Sequence, residues 1–268
     1  MTAIPPAGER AASMKDVAAA EWLKLRTMRS TWAIWAGAAA YTVVGLVVIM
    51  MHIGSYDHAP PAEQATFESA DPAVTVMPIV AFFIGCLGAL AITTEFSTGS
   101  IGPSLVAVPR RRTLLAAKTV VVACASFASG ALFAGLSQIA VLFLLGDRPP
   151  PVNPWANWWD AVPTAAGTAL VTLVAGLVAL GLGAVLRSTA ATVAVVGALT
   201  VVMPSFAHFL PEPLHLRVAS VLIPNLAPQV AGAESAYLLS PPAALAVLAF
   251  YVVVALAAGA LCLCRRDA

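Results

Sequence analysis

The chain carries few charges for its length. Only 10% of its 268 residues are Asp, Glu, Lys or Arg, whereas a soluble domain carries about 25%. Hydrophobic residues make up 60%, and the mean hydropathy is +0.89. This excludes an ordinary globular enzyme and predicts a polytopic membrane protein. Motifs that would give the chain an engine of its own are also missing. It has no phosphate-cradling GxxxxGK[ST] loop, no HExxH zinc pair and no GxSxG nucleophile elbow. Four cysteines, Cys86, Cys124, Cys262 and Cys264, all fall in apolar runs. They read as small buried hydrophobes rather than a disulfide framework. The first 30 residues hold no apolar core, so no cleavable leader is expected.

Six apolar runs are present, at about 31–53, 73–93, 119–145, 161–186, 189–210 and 243–264. Each is long enough to cross about 30 Å of hydrocarbon. The basic residues are unevenly placed between them. Twelve of the fourteen lie in the N-terminal segment, in the loop after run 2, in the turn after run 4 and in the tail. Only Arg148 and Arg217 lie on the other side. The positive-inside bias then predicts an all-α membrane protein of six transmembrane helices with both termini in the cytoplasm.

Residues 1–30 read as a cytoplasmic N-terminal segment, 31–264 as the six-span domain and 265–268 as a cytoplasmic tail. Within 14–29, Met14, Ala18, Trp22 and Leu25 fall on one helical face. Lys24, Arg26 and Arg29 flank that face, and Trp32 follows. This predicts an amphipathic helix in the membrane surface. Ala33, Gly37 and Gly45 share a face of span 1 and would permit close packing. Pro78 is expected to kink span 2 near its outer end, and Pro204 sits towards the outer end of span 5. Trp155, Trp158 and Trp159 suit an interfacial aromatic belt. Residues 211–242 are only half polar and could re-enter the outer leaflet between spans 5 and 6, provided protein or water covers the backbone.

On these boundaries no Asp, Glu, Lys or Arg falls within a span, which argues against a self-driven ion-coupled carrier. The chain is either passive or driven by a partner. His52, His58, His208 and His215 lie at or beyond the outer ends of spans without metal-ligand spacing. Cys262 and Cys264, two apart on a helix, point in different directions and do not form a clamp. Gln138 is the most polar residue well inside a span, and either an interhelical hydrogen bond or a substrate contact would explain it. The loop at 94–118 carries Arg110, Arg111, Arg112 and Lys118 against the single acid Glu95. It serves either to hold topology at an anionic membrane surface or to dock a soluble partner through the apolar patch 104–108 and its basic flank.

Two segments carry a resemblance to a family. One is Glu21, Trp22, Leu23, Lys24, Leu25, Arg26 and Thr27, with Arg29, Ser30, Thr31 and Trp32 leading into span 1. The other is Thr94, Glu95, Phe96, Thr98, Gly99, Ser100 and Ile101, followed by Pro109, Arg112 and Lys118. Together they resemble the permease, or membrane subunit, of type-2 ABC transporters. The resemblance implies that 14–29 is a connecting helix on the cytoplasmic face. It implies that the 94–118 loop couples to a separate ATP-binding subunit, with Glu95, Gly99, Pro109, Arg110, Arg111 and Arg112 as the coupling residues. Trp22, Lys24, Arg26 and Arg29 would belong to the interfacial helix, and 211–242 would form an outer gate. Pro103, close after Gly99, departs from the family pattern and would start a turn or a helix there.

The resemblance further implies a pathway made by two permease copies, identical or paralogous, in a bacterial plasma membrane. ATP and Mg would be bound by the partner and no cofactor by this chain. A pathway without ionisable groups suits an amphipathic or lipid-like cargo, and no dock for an extracellular binding protein is evident, which favours export. Two rival readings are an intramembrane enzyme and a non-transporting anchor or sensor that recruits a cytosolic protein.

Overall fold

The computed structural model describes residues 13–103, 111–207, 209–211, 213–233 and 237–265. Pro109, Arg110, His208, the 104–108 patch and most of the tail lie outside them. The described residues are all-helical, and six helices are long and apolar enough to cross a membrane.

Helix α1 (Met14–Thr27) opens with a capping box. The Ser13 hydroxyl accepts from the Asp16 amide, and the Asp16 carboxylate accepts from the Ser13 amide and hydroxyl. The Ser13 hydroxyl holds the Asp16 carboxyl below its usual range. Met28 then breaks the helix in extended conformation, and α2 (Arg29–His58) begins at once. The Trp32 indole donates to the Arg26 carbonyl at 3.2 Å across this joint. The short α3 (Pro61–Gln64) and α4 (Pro72–Thr75) follow, then α5 (Met77–Ser97). Pro78 therefore sits in the first turn of α5, where a missing N–H costs nothing. The expected kink in span 2 is not present, because Val76 already ends α4.

α6 (Arg111–Leu145) is longer than expected. Its 35 residues extend about 52 Å, well beyond the hydrocarbon. The region read as a loop to residue 118 is therefore helical from Arg111 onwards. α7 (Ala161–Leu186) ends at Arg187, which adopts a left-handed conformation with φ 52°, and α8 (Thr189–Gly197) starts two residues later. A π turn, Ala198–Val202, carries α8 into α9 (Met203–Ala207). Pro204 has no N–H to give to the preceding turn, a common cause of such a ladder change. α10 (Leu214–Val221), α11 (Leu226–Ala231) and α12 (Pro241–Arg265) complete the chain.

α7 is the centre of the bundle. It packs against α5, α6, α11 and α12, and its Ala, Gly, Thr and Val side chains allow all four neighbours to come close. A Cβ on Gly88 of α5 would lie 2.1 Å from the Gly176 carbonyl oxygen of α7. One on Gly167 would lie 2.5 Å from the Ala227 carbonyl oxygen of α11. Of the expected small-residue face of α2, Gly37 faces Phe83 and Gly45 faces Val76 of the neighbouring segment, whereas Ala33 is exposed. Between α9 and α12, Gln229 fastens the short helices. It donates to the Ser220 and Asn225 carbonyls and accepts from the Leu239 amide.

α2, the α8–α9 unit and α12 expose large apolar side chains such as Val43, Phe206 and Phe250, as lipid-facing helices do. Of the cysteines, only Cys86 is buried; Cys124 on α6 and Cys264 on α12 are exposed. Trp158 and Trp159 stack in the open, while Trp155 joins the core instead. The ends of the bundle differ in charge. One, here the basic end, gathers α1, the starts of α2 and α6 and the ends of α5, α7 and α12. The other, the acidic end, holds the Asp57–Arg148 ion pair at 2.7 Å.

Gly88→Ala is expected to cost about 1–3 kcal/mol through backbone overpacking. Gly135→Ala, at a helical site with no neighbour within 4 Å, is expected to be neutral or to gain up to about 1 kcal/mol. Thermal unfolding of the two purified variants in detergent checks the opposite signs.

Candidate functional site

The basic end of the bundle contains two carboxylates and two ammonium groups in one cluster, with Glu21, Glu95 and Lys118 buried and Lys24 half-exposed. The Lys118 side chain on α6 is 2% exposed. Its Nζ donates to Glu21 Oε2 of α1 at 2.6 Å, to Glu95 Oε1 of α5 at 2.8 Å and to the Ala91 carbonyl at 3.0 Å. An ammonium has three protons, so Lys118 is saturated. Lys24 on α1 donates to Glu21 Oε1 at 2.7 Å and to the same Glu95 Oε1 at 2.8 Å. Burial alone would lower its pKa, but the two carboxylates outweigh that and hold the Lys24 ammonium above its usual value.

Local sequence explains the arrangement. Glu21 and Lys24 are three apart, hence on one face of α1, together with Val17, which packs beside Leu114 and Ala117 of α6. The face of α1 turned to the bundle is therefore Val17–Glu21–Lys24. Met14 and Trp22 point away, 43% and 44% exposed. Charge pairing with Lys118 decides this orientation, since an unpaired buried ammonium costs several kcal/mol. Glu95 lies in the last turn of α5, and Thr98 and Gly99 then end that helix. Gly99 has φ +71°, a left-handed cap that suits glycine.

Lys24 and Glu95 were assigned on sequence grounds to separate elements, 71 residues apart, and the fold brings them into contact. Glu21 and Lys118 belong to the same site but were not identified as functional residues. The available signal was weak: Glu21 three residues before Lys24 on one helical face, and Glu95 as the lone acid of a basic loop. The reading that spans carry no Asp, Glu, Lys or Arg is corrected here, since Glu95 and Lys118 both sit on spanning helices near their ends. Of the basic triplet, Arg112 is exposed, whereas Arg111 is half-buried and donates to the Leu263 carbonyl at 2.7 Å, capping α12. Arg26 and Arg29 are exposed. Arg187 lies over the Phe96 ring at 5.0 Å and Thr189 donates to Thr93 at 2.9 Å, tying the α7–α8 turn to α5.

Beside the cluster lies a cavity of about 410 Å³. Its floor is apolar, with Leu87, Leu90 and Val121, and its lip carries Thr27, Thr31, Thr94 and Thr98. Glu95 lines it, and Glu95 Oε2 is buried without a partner among the described residues. A second hollow of about 500 Å³, between α2, α5 and α8–α9, is lined by Tyr41, Phe82, Phe83, Val193 and other apolar groups.

Gln138, near the acidic end, is 5% exposed. Its Nε2 donates to Asp71 Oδ1 at 3.3 Å, and its Oε1 finds no partner among the described residues. Burial raises the Asp71 carboxyl above its usual value, although the Ala73 amide and Gln138 both oppose this. His52 and His58 contact the carbonyls of Glu68 and Gly54. No group of three His, Cys, Asp or Glu able to hold a metal occurs among the described residues.

An all-helical bundle with six helices able to cross a membrane and an ion-paired N-terminal helix at its basic end defines a polytopic membrane protein. A family model described as ABC-2 family transporter protein matches residues 18–206, from α1 through α9, and the chain belongs to this family. Comparison with curated proteins finds no match. The chain is accordingly a multi-pass membrane protein and a transporter permease.

Lys118→Met strands two buried carboxylates against a single half-exposed lysine, and is expected to cost about 3–5 kcal/mol. Lys118→Met with Glu21→Gln leaves a Lys24–Glu95 pair and is expected to recover part of that loss. Thermal unfolding of the single and double variants provides the measurement.

Proposed function

We propose that this chain is the membrane subunit of an ATP-driven exporter. A separate ATP-binding subunit supplies the energy, and a second permease copy completes the pathway. The observation that carries this reading is the four-residue charge cluster. It fastens α1, α5 and α6 into one unit beside the chain connecting α5 to α6. A partner pushing on that connection moves α1 and two spanning helices together rather than bending one of them. ATP and Mg belong to the partner in this scheme.

The basic end faces the cytoplasm of a bacterial cell, in line with the excess of Lys and Arg there. Residues 211–242, with α11 packed beside α7, form the outer gate. The apolar lining of the larger hollow suits an amphipathic or lipid-like cargo better than a free ion, with Gln138, a buried polar group of α6 near the acidic end, as a candidate contact. Coupling runs through Glu95, Gly99, Pro109, Arg110, Arg111 and Arg112. Their parts differ: Glu95 belongs to the fastening, Gly99 ends α5, and Arg112 is a free surface charge.

Gentle extraction of the tagged chain is expected to recover an ATP-binding protein. Arg112→Glu is expected to weaken that complex at least tenfold, about 1.4 kcal/mol, with unchanged thermal stability. Arg111→Glu would also uncap α12, so it is the less clean probe. Recovery of no ATP-binding chain, together with undiminished transport in cells lacking one, would overturn the proposal.

A further inference from the structure

The hydrogen-bond inventory around the basic-end cavity is unbalanced, and the imbalance points to a ligand. Lys118 has no proton left to offer. Lys24 has used two of its three, and its half-exposed ammonium keeps one. Glu95 Oε2, on a side chain 92% buried, is an acceptor without a donor among the described residues. None of the four threonines at the lip donates to it, and three have spent their hydroxyl protons elsewhere. Thr27 donates to the Leu23 and Lys24 carbonyls, Thr94 to the Leu90 carbonyl and Thr98 to the Thr94 carbonyl. Their oxygens therefore offer only lone pairs. The rim thus presents several acceptors, one of them a carboxylate, and a single cationic donor beside them. The four charges of the cluster already cancel, so neither a bare anion nor a bare cation restores the balance. The complement is a headgroup with several N–H donors and one anionic acceptor a few ångströms away, attached to an apolar tail for the floor of Leu87, Leu90 and Val121.

We infer that this cavity binds the headgroup of a zwitterionic aminophospholipid, a primary ammonium on Glu95 Oε2 and its phosphate on Lys24, with the proximal acyl chain against α5 and α6. A volume near 410 Å³ lies within the range of small-molecule pockets, which holds a headgroup and the first carbons of a chain. The site lies on the chain itself and does not depend on transport or on the ATP-binding subunit.

The test uses the delipidated full chain in detergent, without an ATP-binding protein, titrated with dihexanoyl phosphatidylethanolamine while bound lipid is read by native mass spectrometry. Dihexanoyl phosphatidylcholine has the same charges but no N–H donor, and dihexanoyl phosphatidate lacks the ammonium. The ethanolamine lipid is expected to bind at least tenfold tighter than either. Leu90→Trp, which fills the cavity and leaves the four charges in place, is expected to abolish the preference. Glu95→Gln is expected to reduce it at least tenfold. Equal binding of the ethanolamine and choline lipids would overturn the assignment, as would tighter binding of phosphatidate, which would make the site an anion site at Lys24. A preference that survives Leu90→Trp would place the lipid elsewhere and also overturn it. These comparisons read binding only, so their failure leaves the exporter reading standing, and failure to recover an ATP-binding chain leaves the lipid site standing.

Discussion

The cluster of Glu21, Lys24, Glu95 and Lys118 is the constraint on which the basic end depends. Four charges in a chain with so few cannot be buried independently. Each ammonium requires both carboxylates, and Glu95 Oε1 accepts from both lysines. The pairing fixes the roll of α1 about its axis, the register of α1 against α6 and the position of the last turn of α5. Burying such a group is costly, and its mutual attraction offsets that cost only when the geometry is complete. Lys118 meets that condition with three partners. Its worth to the fold lies in specificity: removing one member is expected to be far worse than never having had the set.

The membrane-level part of the bundle is organised by a different principle. There is no hydrophobic force between helices in lipid, so contact depends on how closely backbones approach. α7 supplies the small residues, and Gly88, Gly167 and Gly176 let carbonyls and α-carbons meet. The larger aliphatic and aromatic residues lie on outer helices and face outward. A rigid centre with soft lipid-facing walls, joined to a charge-locked helix at one end, can move as a few large units. Such a construction suits a machine driven from outside.

Much of this was legible from residue order. Hydropathy alone located six spanning helices, because apolar length and bilayer thickness are matched quantities. The position of α1 as a separate helix followed from its periodicity, and the packing glycines of α2 followed from their spacing. Other readings failed for physical reasons. The kink at Pro78 assumed a helix already under way, whereas α4 ends at Val76 and α5 restarts there. The cysteines were taken as buried because they are apolar, but apolar residues of a membrane protein are equally at home on its outer surface. The ion-paired strip of α1, Val17, Glu21 and Lys24, lies beside the Met14–Trp22 face and turns inward to α6, which periodicity alone did not indicate.

The sequence by itself determined the class of the protein: an all-helical, multi-pass membrane protein with basic charge concentrated at one end. Those properties are sums over segments, and composition and period are sufficient to read them. Only the tertiary structure decided the site. Lys24 and Glu95 are 71 residues apart and Glu21 and Lys118 are 97 apart, and no local pattern states which acid answers which base. That pairing, and the unmatched oxygen of Glu95 beside a cavity, exist only once three helices converge, because hydrogen bonds are satisfied by position in space and not by position in the chain.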